Sequence, residues 1–192
     1  MSSHHRSDRL FFHLSGITLL LLSLQGSTVF ASDPILMRAN CAGSVVTRNE
    51  GELAGYADYL ELSSVHHELS ISIQPPGPLA SQPVRVVKPV SASSVRLLGI
   101  MAQGQVCEEV DIVHLRPSGL SGTLAEYWSL QLVNTSVSER KHWDVNGAAS
   151  VQDAISFNPE VATWIFTDGG GNETEFGWNF NTNSPAGQGE QD

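Results

Sequence analysis

The hydrophobic pattern along this chain repeats every two residues. Thr174, Phe176, Trp178 and Phe180 alternate with Glu173, Glu175, Gly177 and Asn179. Successive side chains of a strand point to opposite faces, so this run predicts a half-buried strand. Ala162, Trp164 and Phe166 alternate with Thr163, Ile165 and Thr167. Both of its faces are β-prone, which predicts a central strand. Asp168-Gly169-Gly170-Gly171-Asn172 between the two reads as a hairpin connection. Trp128, Leu130 and Leu132 alternate with Ser129 and Gln131, and Val110 and Ile112 flank Asp111. Shorter strand candidates lie at 35–40, 58–63, 68–73, 84–87 and 151–157. Turn-rich joints separate them at Gln74-Pro75-Pro76-Gly77-Pro78, Arg116-Pro117-Ser118-Gly119 and Asn146-Gly147.

One helix is predicted. Ser91 or Ser93 can cap it, because a serine hydroxyl accepts from an orphan N–H of the first turn. Leu97, Leu98 and Met101 follow at helical spacing, with Val95 one turn before Leu98. Gly104 stands where a left-handed residue ends a helix. Gly99 inside it costs ~1 kcal/mol relative to alanine, so the helix depends on packing. The expected fold is mostly β: a compact β-barrel or two-sheet sandwich with one flanking α-helix.

The chain begins with a segment of another kind. Residues 1–9 are polar and hold Arg6 and Arg9, residues 10–24 are apolar, and Val29-Phe30-Ala31 places small residues before a break at Ser32. This is the three-part pattern of a cleaved secretory signal peptide, and its apolar core is shorter than a spanning helix needs. The expected organisation is a signal peptide at 1–31, one β domain at 32–184 and a disordered Gly/Gln/acidic tail at 185–192. The expected location is periplasmic or extracellular, with no membrane association after cleavage.

Export changes the reading of the two cysteines. In an oxidising compartment, Cys41 and Cys107 are expected to form a disulfide. The alternative, a reactive thiol, finds no basic cluster at either position, and Glu108 and Glu109 would raise the pKa of Cys107.

The chain has 192 residues and a formal charge of −10. Removing the leader takes away Arg6, Arg9 and Asp8, a net +1, and leaves −11. Such a chain does not attract nucleic acid or an anionic membrane.

The candidate chemistry is thin. His66-His67-Glu68 suggests metal binding, but adjacent strand residues face opposite ways, and His66 with Glu68 supplies only two ligands. His114 or His142 would have to bring a third. Asp168, Asn172, Glu173 and Glu175 cluster oxygens at a Gly-rich loop without EF-hand spacing, and read more simply as a solvated turn. There is no nucleophile elbow, phosphate loop or dinucleotide fingerprint. Trp128, Trp164 and Trp178 sit at period-two positions and read as core. No catalytic, cofactor-binding or metal-binding residue is assigned, and no enzymatic activity is expected.

The order of elements nevertheless resembles the haemolysin-coregulated protein (Hcp) family, the ring-forming tube subunits of type VI secretion systems, from about Ile35 to Asn183. Val86-Val87-Lys88-Pro89 followed by Ser91-Ala92-Ser93-Ser94 and Leu97-Leu98 is similar to the family's strand, lysine, short turn and serine-containing helix start. Val110 to Leu115 resembles the strand that follows. Tyr127-Trp128-Ser129-Leu130-Gln131-Leu132 running into Val137-Ser138 resembles the long strand with a Val/Ser-rich end. Gln152-Asp153-Ala154-Ile155-Ser156-Phe157 with Val161 to Trp164 looks like the family's Ser-Phe hairpin, and Gly177-Trp178-Asn179-Phe180 resembles its closing motif. The family's aromatic Ser-Trp-Ser-Trp-Gly strand end is here Ser64-Val65-His66-His67-Glu68.

The resemblance implies a compact β fold with one flanking helix, a homo-oligomer in the form of a hexameric ring, and small protein effectors as cargo. It implies no cofactor. Family subunits assemble in the cytosol, so a signal peptide and a disulfide mark this chain as an exported variant. The alternatives are a monomeric extracellular β-barrel binding module without the secretion role, and a hydrolase or metal enzyme built on His66, Glu68, His114 or His142.

Overall fold

A computed structural model of the chain describes residues 33–73, 76–118, 123–144 and 151–186. The leader, the Asn146-Gly147 joint and residues 187–192 lie outside them. Among the described residues, thirteen strands and one helix follow in order: β1 (Ile35–Cys41), β2 (Ser44–Val45), β3 (Leu60–Leu62), β4 (Ser64–His66), β5 (Leu69–Ile73), β6 (Pro76–Ser81), β7 (Val84–Pro89), α1 (Ala92–Ala102), β8 (Val106–Ser118), β9 (Thr123–Trp143), β10 (Gln152–Asn158), β11 (Val161–Thr167), β12 (Glu173–Asn179) and β13 (Ser184–Pro185).

β9 organises the fold. Its first part pairs with β8 on one side and β11 on the other, and its last part, from Ser136 to Trp143, pairs with β10. One layer therefore runs β3-β1-β8-β9-β11-β12-β13, and the other runs β9-β10-β7-β4. β5 and β6 form a separate two-stranded hairpin. The sheets do not close into a barrel, and of the two expected architectures the sandwich is the one found. Met37, Leu60, Ile112 and Leu130 from the first layer meet Val84, Val86, Ile155 and Phe157 from the second, with Leu97 and Ile100 of α1 in the same core.

β11 is central, between β9 and β12, as its two β-prone faces predict. Other expectations need correction. β8 does not turn at Arg116 and Pro117 but continues to Ser118, because Arg116 and Pro117 pair with Ala125 and Leu124. Pro76 to Pro78 is strand β6 rather than a turn. α1 buries Ser93, Ser94, Leu97 and Ile100, while Leu98 and Val95 face outwards. Of the apolar series, Leu97 is buried and Met101 packs against the core, while Ser93 and Ser94 take the other inward positions because they bond to Glu50 and Lys88. Gly104 has φ +62, the left-handed value expected just past a helix end. Ser184 and Pro185 pair with Asn179 and Trp178 of β12.

Cys41 and Cys107 are register partners on β1 and β8, and their sulfurs are 2.06 Å apart in a disulfide. The segment between β2 and β3 is tied down by Thr47, whose hydroxyl donates to the Asp58 carbonyl at 2.6 Å and accepts from the Ala39 N–H at 3.2 Å.

Candidate functional site

Three strands of the first layer carry aromatic side chains at the edge of the core, where β4 of the second layer approaches them. Period two continues the inward face from Ile112 to His114, from Leu130 to Trp128 and from Ala162 to Trp164. The register pairs His114 with Trp128, then steps to Leu115 opposite Glu126 and skips Tyr127. That bulge frees Tyr127 to turn towards His114, and their rings meet edge to face at 6.1 Å. From the other side, Val65 of β4 and His67 and Leu69 at the base of the hairpin close in. The His67 ring stacks on Trp164, with centroids 5.6 Å apart and planes 6° from parallel.

The result is a cleft of about 590 Å³ walled by these seven residues. A row of stacked rings runs from it along the sheet, from Trp164 to Phe176 and on to Trp178. The tryptophans expected as core are thus only partly buried, and two of them line an opening.

The histidines divide differently from the sequence expectation. His67, not His66, shares a wall with His114. His67 Nε2 lies 2.9 Å from Ser81 Oγ, and His114 Nε2 is buried with no hydrogen-bond partner among the described residues. Burial holds both imidazoles below their usual pKa, so both are neutral at pH 7. His66 and Glu68 line a separate polar groove with Arg85 and Glu139. His142 sits on β9 opposite Asp153, away from both. No group of three or more His, Cys, Asp or Glu among the described residues is arranged to hold a metal. At the hairpin tip, the Asp168 carboxylate accepts from the Gly170 and Asn172 N–H groups at 2.7 and 2.9 Å and from the Asn172 amide at 2.9 Å. Its oxygens build the turn.

A second polar site lies under the helix start. Lys88 Nζ donates to Ser91 Oγ at 2.7 Å, Ser94 Oγ at 2.9 Å and the Pro89 carbonyl at 2.8 Å. Ser91 and Ser93 hydroxyls donate to Glu50 at 2.7 and 2.8 Å, and the Ser93 N–H donates to the same carboxylate. A serine beside a lysine can serve nucleophilic catalysis when free N–H groups face the developing oxyanion. Here Glu50 already takes the Ser93 N–H, and the network ties the β2–β3 segment to the helix. A third polar spot joins β1 and β8: Arg38 donates to the buried Asp111 at 3.3 Å, and burial with nearby Glu109 pushes the Asp111 pKa up to about 6.

Comparison with known proteins adds the family. A family profile described as "Type VI secretion system effector, Hcp" matches residues 47–166. A comparison with curated proteins finds no match. Among solved structures, the chain resembles the secreted protein Hcp3 from Pseudomonas aeruginosa, with a TM-score of 0.63 at 18% identity, covering 75% of this chain and 97% of that one. Hcp1 of E. coli matches with a TM-score of 0.65 at 16% identity, covering 78% and 98%. Hcp1 from Salmonella typhimurium matches with a TM-score of 0.63 at 11% identity, covering 79% and 99%. Identities this low speak for the fold alone. The family profile, which spans more than half of the chain, speaks for the family.

Proposed function

The chain belongs to the Hcp family of type VI secretion proteins, and on that premise we propose that it is an exported, non-enzymatic structural subunit that closes with five further copies into a ring able to hold a small protein effector. The observation that carries the reading is the family profile over residues 47–166, on a fold that covers nearly the whole of each Hcp neighbour.

The strand edges support assembly. β12 pairs with β11 along its length, but β13 covers only Trp178 and Asn179. Among the described residues, the stretch Glu173 to Phe176 has no strand partner on its outer side, and its Phe176 is 51% exposed. On β9, residues 137–143 pair with β10 on one side and with no strand on the other among the described pairings. Unpaired N–H and C=O groups on an edge are templates for a neighbour's strand. Joining unlike edges generates a ring when the rotation closes. The first stretch carries Glu173 and Glu175, whereas on the second Arg140 is paired with Asp153 and Lys141 with Glu139.

Export rests on the leader pattern of residues 1–31, and no helix among the described residues is long and apolar enough to cross a membrane. The opposing force is charge. At −11 per mature subunit, copies repel, so assembly weakens at low salt.

The test is the absolute mass of the protein purified after export, by light scattering behind size exclusion at two salt concentrations. A mass near six subunits, falling at low salt, is expected. A monomer at both salts and at high concentration would overturn ring formation and leave a binding module.

A further inference from the structure

The free part of β12 has two unlike faces. From its geometry we infer that the stretch Glu173 to Phe176 takes, as an added strand, an extended segment of a partner protein in which apolar and basic side chains alternate. The inference stands on the edge itself and holds whether the chain is a ring or a monomer.

The backbone fixes which groups are on offer. The Ala186 N–H donates to the Gly177 carbonyl at 2.9 Å, so the backbone of Gly177 points away from β11. In an antiparallel ladder the N–H and C=O of one residue share a side, and successive residues alternate. Glu175 and Glu173 therefore point theirs outwards, while Thr174 and Phe176 bond to β11. The Asn172 carbonyl, which accepts from the Asp168 N–H at 3.0 Å, fits the same alternation. Among the described residues, no strand meets the outward groups of the two glutamates.

The side chains fix the partner. Thr174 and Phe176 share a face with Phe166 and Trp164, their register partners on β11. Phe176 packs against Trp164 and Trp178 within the sheet, yet it and Phe166 remain exposed. Apolar side chains of an added strand lie beside Phe176 and reach across the small Thr174 towards Phe166. Glu173 and Glu175 project from the other face, both exposed, and neither has an ion pair among the described residues. Charges on an edge turn away a strand of like sign and admit one of opposite sign. The free edge of β9 brings no unpaired cation, since Arg140 and Lys141 already have carboxylate partners. A basic segment therefore competes with a ring neighbour for this edge, and most strongly at low salt, where copies of the chain repel one another.

Antiparallel addition, the mode of both ladders that β12 already makes, sets the basic residues opposite Glu173 and Glu175. Their amides then bond to the edge, and the amides of the apolar residues point to solvent.

The experiment titrates the purified full chain, dilute and at low salt, into a fluorescent peptide of about seven residues that alternates lysine with valine, long enough to span the edge. Anisotropy is expected to saturate with a Kd of about 100 μM or tighter. The counterpart with glutamate for lysine is expected to bind at least about tenfold more weakly. N-methylation of the lysine amides is expected to weaken binding at least about tenfold, and N-methylation of the valine amides by no more than about twofold. Glu173→Gln with Glu175→Gln, both at exposed positions, is expected to weaken the lysine peptide and strengthen its glutamate counterpart. Equal affinity for the two peptides, or no saturable response, would overturn the inference on the unaltered chain. A lysine-methylated peptide that binds as tightly as the unmodified one would show attraction by charge alone and overturn the added strand. Light scattering on the same samples separates the two readings. A monomeric chain that binds the peptide refutes the ring and supports this inference, whereas a chain that assembles but never binds the peptide reserves the edge for a second copy and overturns it.

Discussion

Lys88 and Asp153 stand directly opposite one another on β7 and β10, both buried, yet each is bonded to other groups. Lys88 donates to Ser91, Ser94 and the Pro89 carbonyl. Asp153 accepts from Arg140 Nη2 at 2.9 and 3.1 Å. The two charges end the apolar stack of Val84, Val86, Ile155 and Phe157 with an ionic layer beneath the helix start.

Lys88→Ala is expected to destabilise the fold by about 2–4 kcal/mol, because it opens a cavity and removes the donor shared by Ser91, Ser94 and the Pro89 carbonyl. Lys88→Met keeps the stem and should lose less. Chemical denaturation of the two variants checks the order, and equal losses would mean that the buried stem contributes little and the hydrogen bonds carry the loss.

Removing one member of the Arg140–Asp153 pair leaves an uncompensated charge. Arg140→Ala is expected to cost about 3–5 kcal/mol, while the double variant with Asp153→Ala loses less than the sum of the single losses. A double-mutant cycle measures the coupling, and strict additivity would show that the contact is not formed in solution.

Asp111 sets a pH dependence. Its folded pKa is raised from 3.8 to about 6, first by burial and then by Glu109. A raised carboxylic acid pKa means that the folded chain binds more protons than the unfolded chain between those two values. Its contribution is therefore most favourable below about pH 4 and falls as pH rises through about 6. Asp111→Asn should stabilise the fold relative to the natural chain at pH 7 by on the order of 1 kcal/mol after allowing for solvent screening, read as a higher melting temperature, and the gain should vanish by pH 4. A gain that persists at pH 4 would mean that something other than ionisation is responsible.

The Cys41–Cys107 disulfide spans 66 positions of sequence. Restricting the unfolded chain in this way stabilises by ~4 kcal/mol in the chain-entropy model. Replacing both cysteines with serine should lower the melting temperature markedly, and a reductant should do the same to the natural protein while leaving the variant unaffected.

Gly99 lies inside α1 with nothing within 4 Å of where a Cβ would stand. Gly99→Ala is expected to stabilise by about 0.5–1 kcal/mol through helix propensity alone. A loss in thermal unfolding would mean that the helix packs more closely here than the structure shows.

Much of this fold was legible in residue alternation. The strand expected at 84–87 runs on to Pro89, and its period of two sends Lys88 inward with Val84 and Val86. The helix was placed within a residue at each end by Ser91 and Gly104, but of its apolar series Leu98 and Val95 face outwards while Leu97 is buried. Serines bonded to Lys88 and Glu50 can be buried in place of leucines, and those partners lie 3 and 41 or more positions away.

The candidate cleft was not legible. Its seven lining residues come from β4, the approach to β5, β8, β9 and β11, and Tyr127 reaches it only because the register skips one residue opposite His114 and Leu115. His66 was singled out for sharing a strand face with Glu68, whereas His67 proved to be the one stacked on Trp164. By itself the sequence determined the strands, the helix and its ends, the acidic charge and the resemblance to Hcp, because these follow from local periodicity, capping chemistry and composition. Only the tertiary structure decided that the sheets stay open, that β9 passes from one layer to the other, and that two histidines 47 positions apart in the sequence share one aromatic wall. Those depend on register and bulges between distant strands, where a shift of one residue reverses every side chain and leaves the local pattern unchanged.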